Sequence, residues 1–191
     1  MKILIIDGHP FEHSFCRALA DSYYDGATQA GHEATLFRLR EKSFDPILRT
    51  GYKQQQELEP DLQLAQALIK DCQHLMIVCP IWWGGPPALL KGFMDRTFLP
   101  GFAFKYRSKS MLWDKFLKGR TARIVVTSDA PSWWMRFVIG DSTVRVIRDA
   151  TLKFVGISPV KVTRIGKVKW LSQTERERLI EKTNRLGLRG R

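Results

Sequence analysis

The chain has 191 residues, 44% of them hydrophobic and 26% charged, with 31 basic against 19 acidic side chains. A chain of that length buries roughly 70% of its unfolded surface and needs no disulfide or metal staple; Cys16, Cys72 and Cys79 show no spacing that would provide one. The net charge of +12 suits a nucleic-acid binder only if the bases converge among stacking aromatics. Instead ten Lys/Arg against three Glu lie in residues 161–191, and a second basic cluster spans 107–123, the pattern of solvated faces.

Met1 leads into Lys2 to Asp7, KILIID, with no small-residue cleavage site, which points to a cytoplasmic chain. This nearly continuous apolar run reads as a strand buried on both faces. Gly8, His9 and Pro10 turn the chain, and Phe15, Leu19, Tyr23, Ala27 and Ala30 keep helical spacing up to Gly31. Glu33 to Leu39 alternates as a half-exposed strand, and Ser43 to Pro60 reads as a long polar loop. Asp61 to Lys70 is a predicted helix. His74 to Pro80, HLMIVCP, is a second fully buried strand that runs into Ile81, Trp82, Trp83, Gly84 and Gly85.

Ala88 to Phe98 reads as a helix opened by Pro87. An aromatic and basic loop follows, Leu99 to Gly119. Arg123 to Ser128 is another buried strand, Thr143 to Phe154 a helix, Ser158 to Ile165 an alternating edge strand, and Gln173 to Leu186 the last helix, in a basic C-terminal segment of about 172–191. Strands that alternate with helices predict right-handed crossovers and a parallel sheet. The expected fold is α/β: one domain, 1–191, with a doubly wound five-stranded parallel sheet of order 2-1-3-4-5 and helices on both faces. Ligands bind such folds beyond the carboxyl ends of the strands.

Three segments meet that rim. Ser14, Phe15 and Cys16 open the first helix, where free N–H groups, a hydroxyl and the imidazoles of His9 and His13 suit a phosphate; a plain N-cap at Ser14 is an equal alternative. Pro80, Ile81, Trp82, Trp83 and Gly84 offer indoles and bare backbone to a flat ligand, although one of the two tryptophans is expected simply to pack. Thr127, Ser128 and Asp129 add hydroxyls and a carboxylate, with Asp129 equally suited to capping a turn. Trp133 and Trp134 extend the aromatic wall, and Phe104 and Tyr106 either line the same mouth or anchor their loop. Neither G-x-x-x-x-G-K-[ST] nor G-x-G-x-x-G is present.

The segments His9 to Leu19, HPFEHSFCRAL, and Cys79 to Phe104, CPIWWGGPPALLKGFMDRTFLPGFAF, resemble the flavodoxin-like NAD(P)H dehydrogenase (quinone) family, and the likeness runs from residue 1 to about 165. It implies a flavin, FAD or FMN, with NAD(P)H as co-substrate. The implied reaction is two-electron hydride transfer through flavin N5 to a quinone or similar flat acceptor. It also implies a homodimer.

Carried over by position, His9, Ser14, Phe15 and Cys16 would hold the flavin phosphate. Pro80, Ile81, Trp82, Trp83 and Gly84 would lie along the isoalloxazine, and Thr127, Ser128 and Asp129 would touch its pyrimidine end. Phe104 and Tyr106 would reach the neighbouring subunit's site, and Trp133 and Trp134 would border the substrate pocket. Cys16 stands where the family commonly has asparagine, Ser128-Asp129 where it often has two glycines, and no histidine follows His74. No catalytic side chain and no metal site is expected. A second role the resemblance allows is that of a flavin-binding regulatory subunit of a potassium-efflux type transporter. Its basic C-terminal segment would then make a transporter or peripheral membrane contact. Nucleic-acid binding has no motif to carry it.

Overall fold

The computed structural model describes residues 1–54 and 56–190. Five parallel strands form the sheet: β1 (Lys2–Asp7), β2 (Glu33–Arg38), β3 (His74–Pro80), β6 (Thr121–Thr127) and β7 (Val160–Ile165), in the order β2-β1-β3-β6-β7. This is the expected 2-1-3-4-5 order once the two strands of a separate antiparallel hairpin are set aside. That hairpin, β4 (Phe104–Tyr106) and β5 (Trp113–Lys115), occupies the stretch that reads as a loop in the sequence. Three-residue strands carry too little periodicity to be seen there.

Alternation along the buried strands supplies two cores. Leu4, Ile6, Leu75, Ile77, Ile124 and Val126 face α2 (Pro60–Asp71), α3 (Ala88–Thr97) and the helical stretch 142–155. Ile3, Ile5, Met76, Val78 and Val125 face the other way, onto α1 (Phe15–Gln29) and α7 (Gln173–Leu188). The stretch 142–155 is not a plain α-helix. It begins as α5 (Ser142–Val144), widens to a π-helix over Arg145–Leu152 and ends as α6 (Lys153–Val155). A short helix, α4 (Ser132–Phe137), precedes it and is not legible in the sequence. The edge strand β7 starts at Val160 rather than Ser158, because Pro159 has no N–H to give a ladder.

The basic C-terminal segment is integral to the fold. Helices α1 and α7 pack at backbone contact: a Cβ on Gly26 would lie 2.2 Å from the Asn184 carbonyl oxygen, and one on Gly187 would lie 2.1 Å from that of Tyr23. Ser22 Oγ donates to the Ile180 carbonyl at 2.8 Å, and Asn184 Nδ2 donates to the Ser22 carbonyl at 3.1 Å. The last helix thereby fixes the position of α1, whose N-terminus opens onto the strand ends. On the opposite face, Arg96 of α3 is fully buried and fastens the polar loop 43–59. Its guanidinium donates to the carbonyls of Asp45 (2.5 Å) and Glu57 (2.7 Å) and to Glu59 Oε2 (2.9 Å). Among the described residues, no helix is long and apolar enough to cross a membrane.

Candidate functional site

The carboxyl ends of β1, β3 and β6 surround a cleft of about 260 Å³. Its floor is the start of α1. Ser14 is the N-cap, its Oγ accepting from Arg17 N at 3.1 Å, so the capping role weighed for it from the sequence is present. The hydroxyl serves one N–H only. The N–H groups of Phe15 and Cys16, first in the helix, have no intrahelical acceptor, and the first turn holds no acidic side chain to offset the helix dipole. This arrangement favours an external anion.

His9 stands at the rim of the cleft. Its Nδ1 accepts from Phe11 N at 3.0 Å, so the neutral ring carries its proton on Nε2 as a donor. Burial pushes its pKa down, which favours that neutral form. Cys16 is buried, with Sγ 3.2 Å from Thr127 Oγ1. Burial pushes its thiol up to about 12, with the Thr127 contact opposing, so the sulfur ties α1 to the end of β6 and is no nucleophile.

Behind the helix start lies Asp7, fully buried; Oδ1 accepts from His9 N at 3.1 Å, while Oδ2 has no partner among the described residues. Burial raises its pKa, opposed by the His9 N–H and by Arg38 and Arg40. A carboxyl with a raised folded pKa binds its proton more tightly in the folded chain, so stability is lost as pH rises through the folded value. Asp7→Asn, which keeps the acceptor for His9 N, is therefore expected to raise the melting temperature at pH 7. The gain should vanish below about pH 4, where the carboxyl is protonated in both states. A melting series of the two proteins across pH checks this.

The second loop is a tight turn. Trp82 N donates to Gly85 O at 2.9 Å and Gly85 N to Trp82 O at 2.8 Å, with φ of +51° at Trp83 and +75° at Gly84. Two positive φ values make this a type I′ geometry. Glycine adopts it freely, but at a tryptophan it costs roughly 1–3 kcal/mol. The Gly84 carbonyl accepts from Thr143 Oγ1 at 2.8 Å and from Ser142 Oγ, which pins the turn to the helical stretch 142–155. The turn holds Trp83 entirely in solvent and Trp82 half-exposed, edge-on to His9 at 5.5 Å between ring centroids.

The third loop follows β6. Thr127, Ser128 and Asp129 all line the cleft. Ser128 Oγ donates to the Ala130 carbonyl at 2.8 Å, and Asp129 Oδ1 accepts from Lys169 N at 3.1 Å, so both also brace the loop.

His9, Ser14, Phe15, Cys16, Pro80, Ile81, Trp82, Thr127, Ser128 and Asp129 thus surround one cleft. Trp83 and Gly84 are not on its wall; they form the turn beside it. Trp133 and Trp134 are exposed on α4, packed edge to face at 5.8 Å. Phe104 and Tyr106 line a different cleft, of about 400 Å³, with Tyr52, Lys91 and Phe154. Phe11 and Val168 line the first cleft and are not singled out from the sequence. Val168 follows the carboxyl end of β7, a position that strand order alone marks as part of the same rim. Among the described residues, no group of His, Cys, Asp or Glu is placed to hold a metal ion.

A family model described as a flavodoxin-like fold matches residues 1–186. A Haemophilus influenzae protein described as an uncharacterized NAD(P)H oxidoreductase is 27% identical over 185 residues, 95% of this chain and 91% of that protein. NAD(P)H dehydrogenase [quinone] 1 of Cavia porcellus is also 27% identical, over 81% of this chain but only 64% of the enzyme's length. Among solved structures, Smu.1420 from Streptococcus mutans UA159 superposes with a TM-score of 0.84 at 31% identity, covering 99% of this chain and 100% of that one.

Proposed function

From the premise that the chain belongs to the flavodoxin-like fold family, whose model spans residues 1–186, we propose that it is a flavin-dependent NAD(P)H dehydrogenase acting on quinones or similar flat acceptors. The observation that carries this reading is the meeting of an open helix start, a donor imidazole and an aromatic turn around one cleft. The fit to a flavin is chemical. The free N–H groups of Phe15 and Cys16 and the His9 Nε2–H are donors for an anionic phosphate. At about 260 Å³ the cleft is smaller than a typical whole-cofactor pocket, which leaves the flat part of the ligand to the aromatic rim. The oxidoreductases among the relatives, NAD(P)H dehydrogenase [quinone] 1 included, agree with the reading.

A bound flavin supplies the two-electron chemistry between NAD(P)H and the acceptor. The chain's task is to bind, orient and shield. Trp83, held out by the strained turn, and the exposed Trp82 offer stacking faces. The hydroxyls of Thr127 and Ser128 offer polar contacts at the third loop. The buried Cys16 lines the cleft, and neither it nor Asp7, buried behind the helix start, takes part in the reaction. Reduction of a quinone takes up a proton as well as a hydride; no histidine follows His74, and in this reading water supplies that proton. In the same reading the chain works as a homodimer, with Phe104 and Tyr106 of one copy completing the slot of the other.

The test is direct. The purified protein is expected to carry a yellow chromophore that is released as free flavin on denaturation, to oxidise NAD(P)H only when a quinone is added, and to sediment as a dimer. A colourless protein that takes up no flavin on titration sinks the proposal.

A further inference from the structure

None of the basic side chains of 107–123 lines the cleft. The structure gathers several of them on the hairpin β4–β5, where Phe104 pairs with Lys115, Lys105 with Asp114 and Tyr106 with Trp113. The foot of the hairpin is fixed in the body of the protein. Phe104 is buried, and Trp113 stacks on Phe154 at 4.4 Å between ring centroids. Trp113 Nε1 donates to the Phe154 carbonyl at 2.8 Å and Leu117 N to the Val155 carbonyl at 3.0 Å. The tip, residues 107–112, is closed by its own bonds: Arg107 N donates to Leu112 O and Leu112 N to Ser110 Oγ, each at 3.1 Å. Lys109 turns the chain there with a φ of +55°.

This anchored hairpin holds two apolar side chains out in water: Met111 is 94% exposed and Leu112 59%. Around them the charge has one sign. Residues 105–118 carry Lys105, Arg107, Lys109, Lys115 and Lys118 against Asp114 alone. That carboxylate is already held by Arg107, at 2.6 and 2.9 Å. Among the described residues, the exposed Lys105, Lys109 and Lys118 have no carboxylate within ion-pairing distance. An apolar wedge inside a cationic collar, on an anchored stalk, is suited to the headgroup layer of a bilayer.

We infer that the β4–β5 hairpin docks the chain on an anionic lipid surface. Met111 and Leu112 enter the headgroup boundary, and Lys105, Lys109 and Lys118 meet the lipid phosphates. A stable protein interface buries about 800 Å² a side, more than such a tip offers, whereas a bilayer receives a few side chains without a matching shape. A second copy docked tip to tip would bring like charges together. A nucleic acid would answer the charge but give Met111 and Leu112 no stacking role. The other basic segment, α7, lacks the apolar half of the pattern. Among the described residues its one exposed large apolar side chain is Leu188, and Glu175, Glu177 and Glu181 are exposed among its bases. The inference does not depend on the flavin reading; where both hold, the chain is brought to the phase in which an apolar acceptor dissolves.

Sedimentation of the purified protein with vesicles tests this. Wild type is expected to bind vesicles of mixed phosphatidylcholine and phosphatidylglycerol at least about tenfold more tightly than phosphatidylcholine alone, and to be weakened by salt. Paired Met111→Ser and Leu112→Ser substitutions should weaken binding to the mixed vesicles about tenfold. Lys109→Ala should weaken it about fivefold and Lys109→Arg should not. Because these side chains are exposed, the variants are expected to melt with wild type, which verifies that they are folded. The three native cysteines are buried, so Met111→Cys can be labelled selectively with a polarity-sensitive dye, whose emission should shift to the blue on mixed vesicles only. Absence of vesicle binding, equal binding to the two lipid compositions, or binding that the paired serine variant retains in full overturns the proposal. So does a lipid-free dimer that dissociates in the paired serine variant, which would place a second copy on the tip.

Discussion

Replacing Arg96 with methionine is expected to destabilise the chain by about 3–5 kcal/mol, the scale of breaking a buried, hydrogen-bonded ion pair. The side chain is wholly buried and donates to two main-chain carbonyls and a carboxylate of the loop 43–59. Methionine fills much of the volume, so packing alone predicts a small loss. The larger loss comes from the carbonyls of Asp45 and Glu57, which lose the guanidinium as donor, and from Glu59, which is left with the Asp45 N–H. The loop also seats Pro46 against Gly92, where a Cβ would approach a Pro46 atom to 2.4 Å. With the clamp removed, the loop keeps that packing on α3 but loses its hydrogen bonds to it. Urea unfolding measures the loss, and limited proteolysis should cut the variant within 43–59. A variant within 1 kcal/mol of wild type would show that the loop stands without its clamp.

The second large effect appears with acid. At the amino-terminal end of β3, far along the sheet from the cleft, His74 is 2% exposed. Its Nδ1 lies 2.6 Å from Thr121 Oγ1, and its ring stacks with Tyr23 at 6.5 Å between centroids. Burial lowers its pKa to about 4, with Arg123 and Lys161 adding repulsion. The unfolded histidine titrates near 6.5, so between those two values the unfolded chain binds the extra proton and stability falls with falling pH. The displacement corresponds to about 3 kcal/mol by pH 4, at 1.36 kcal/mol per unit. His74→Phe keeps the ring contact with Tyr23 but cannot be protonated. Its unfolding free energy should decline less steeply than that of wild type from pH 6.5 to 4 and be unaffected by that proton above pH 7. Parallel curves for the two proteins would remove His74 as the cause.

Much of the scaffold is legible because β1, β3 and β6 are nearly continuous apolar runs, the mark of strands covered on both faces. The cleft is legible for a related reason: in a parallel sheet the carboxyl ends gather, so residues after Asp7, Pro80 and Thr127 are neighbours before any contact is known. What escapes the sequence depends on packing between distant segments. Val168 faces the cleft because Ser128, Asp129 and Ala130 tie it there, not because of any local pattern. Helix α4 has only six residues and exposes both of its tryptophans, so no apolar stripe announces it. The burial of Arg96 depends on carbonyls some forty to fifty positions away. The positive φ of Trp83 departs from what its residue type prefers, and it sits beside the cleft.

The meeting of Gly26 with Gly187 has a consequence for how this protein can change over time. Neither residue has a side chain that could touch a ligand, yet any substitution must separate α1, the helix that opens the cleft, from α7. Two positions without chemistry thus restrict divergence as tightly as a reacting group would. Across descendants of this chain, invariance at the α1–α7 seam would record a spacing between two helices, and a survey that equated invariance with catalysis would locate the working end of the molecule in the wrong place.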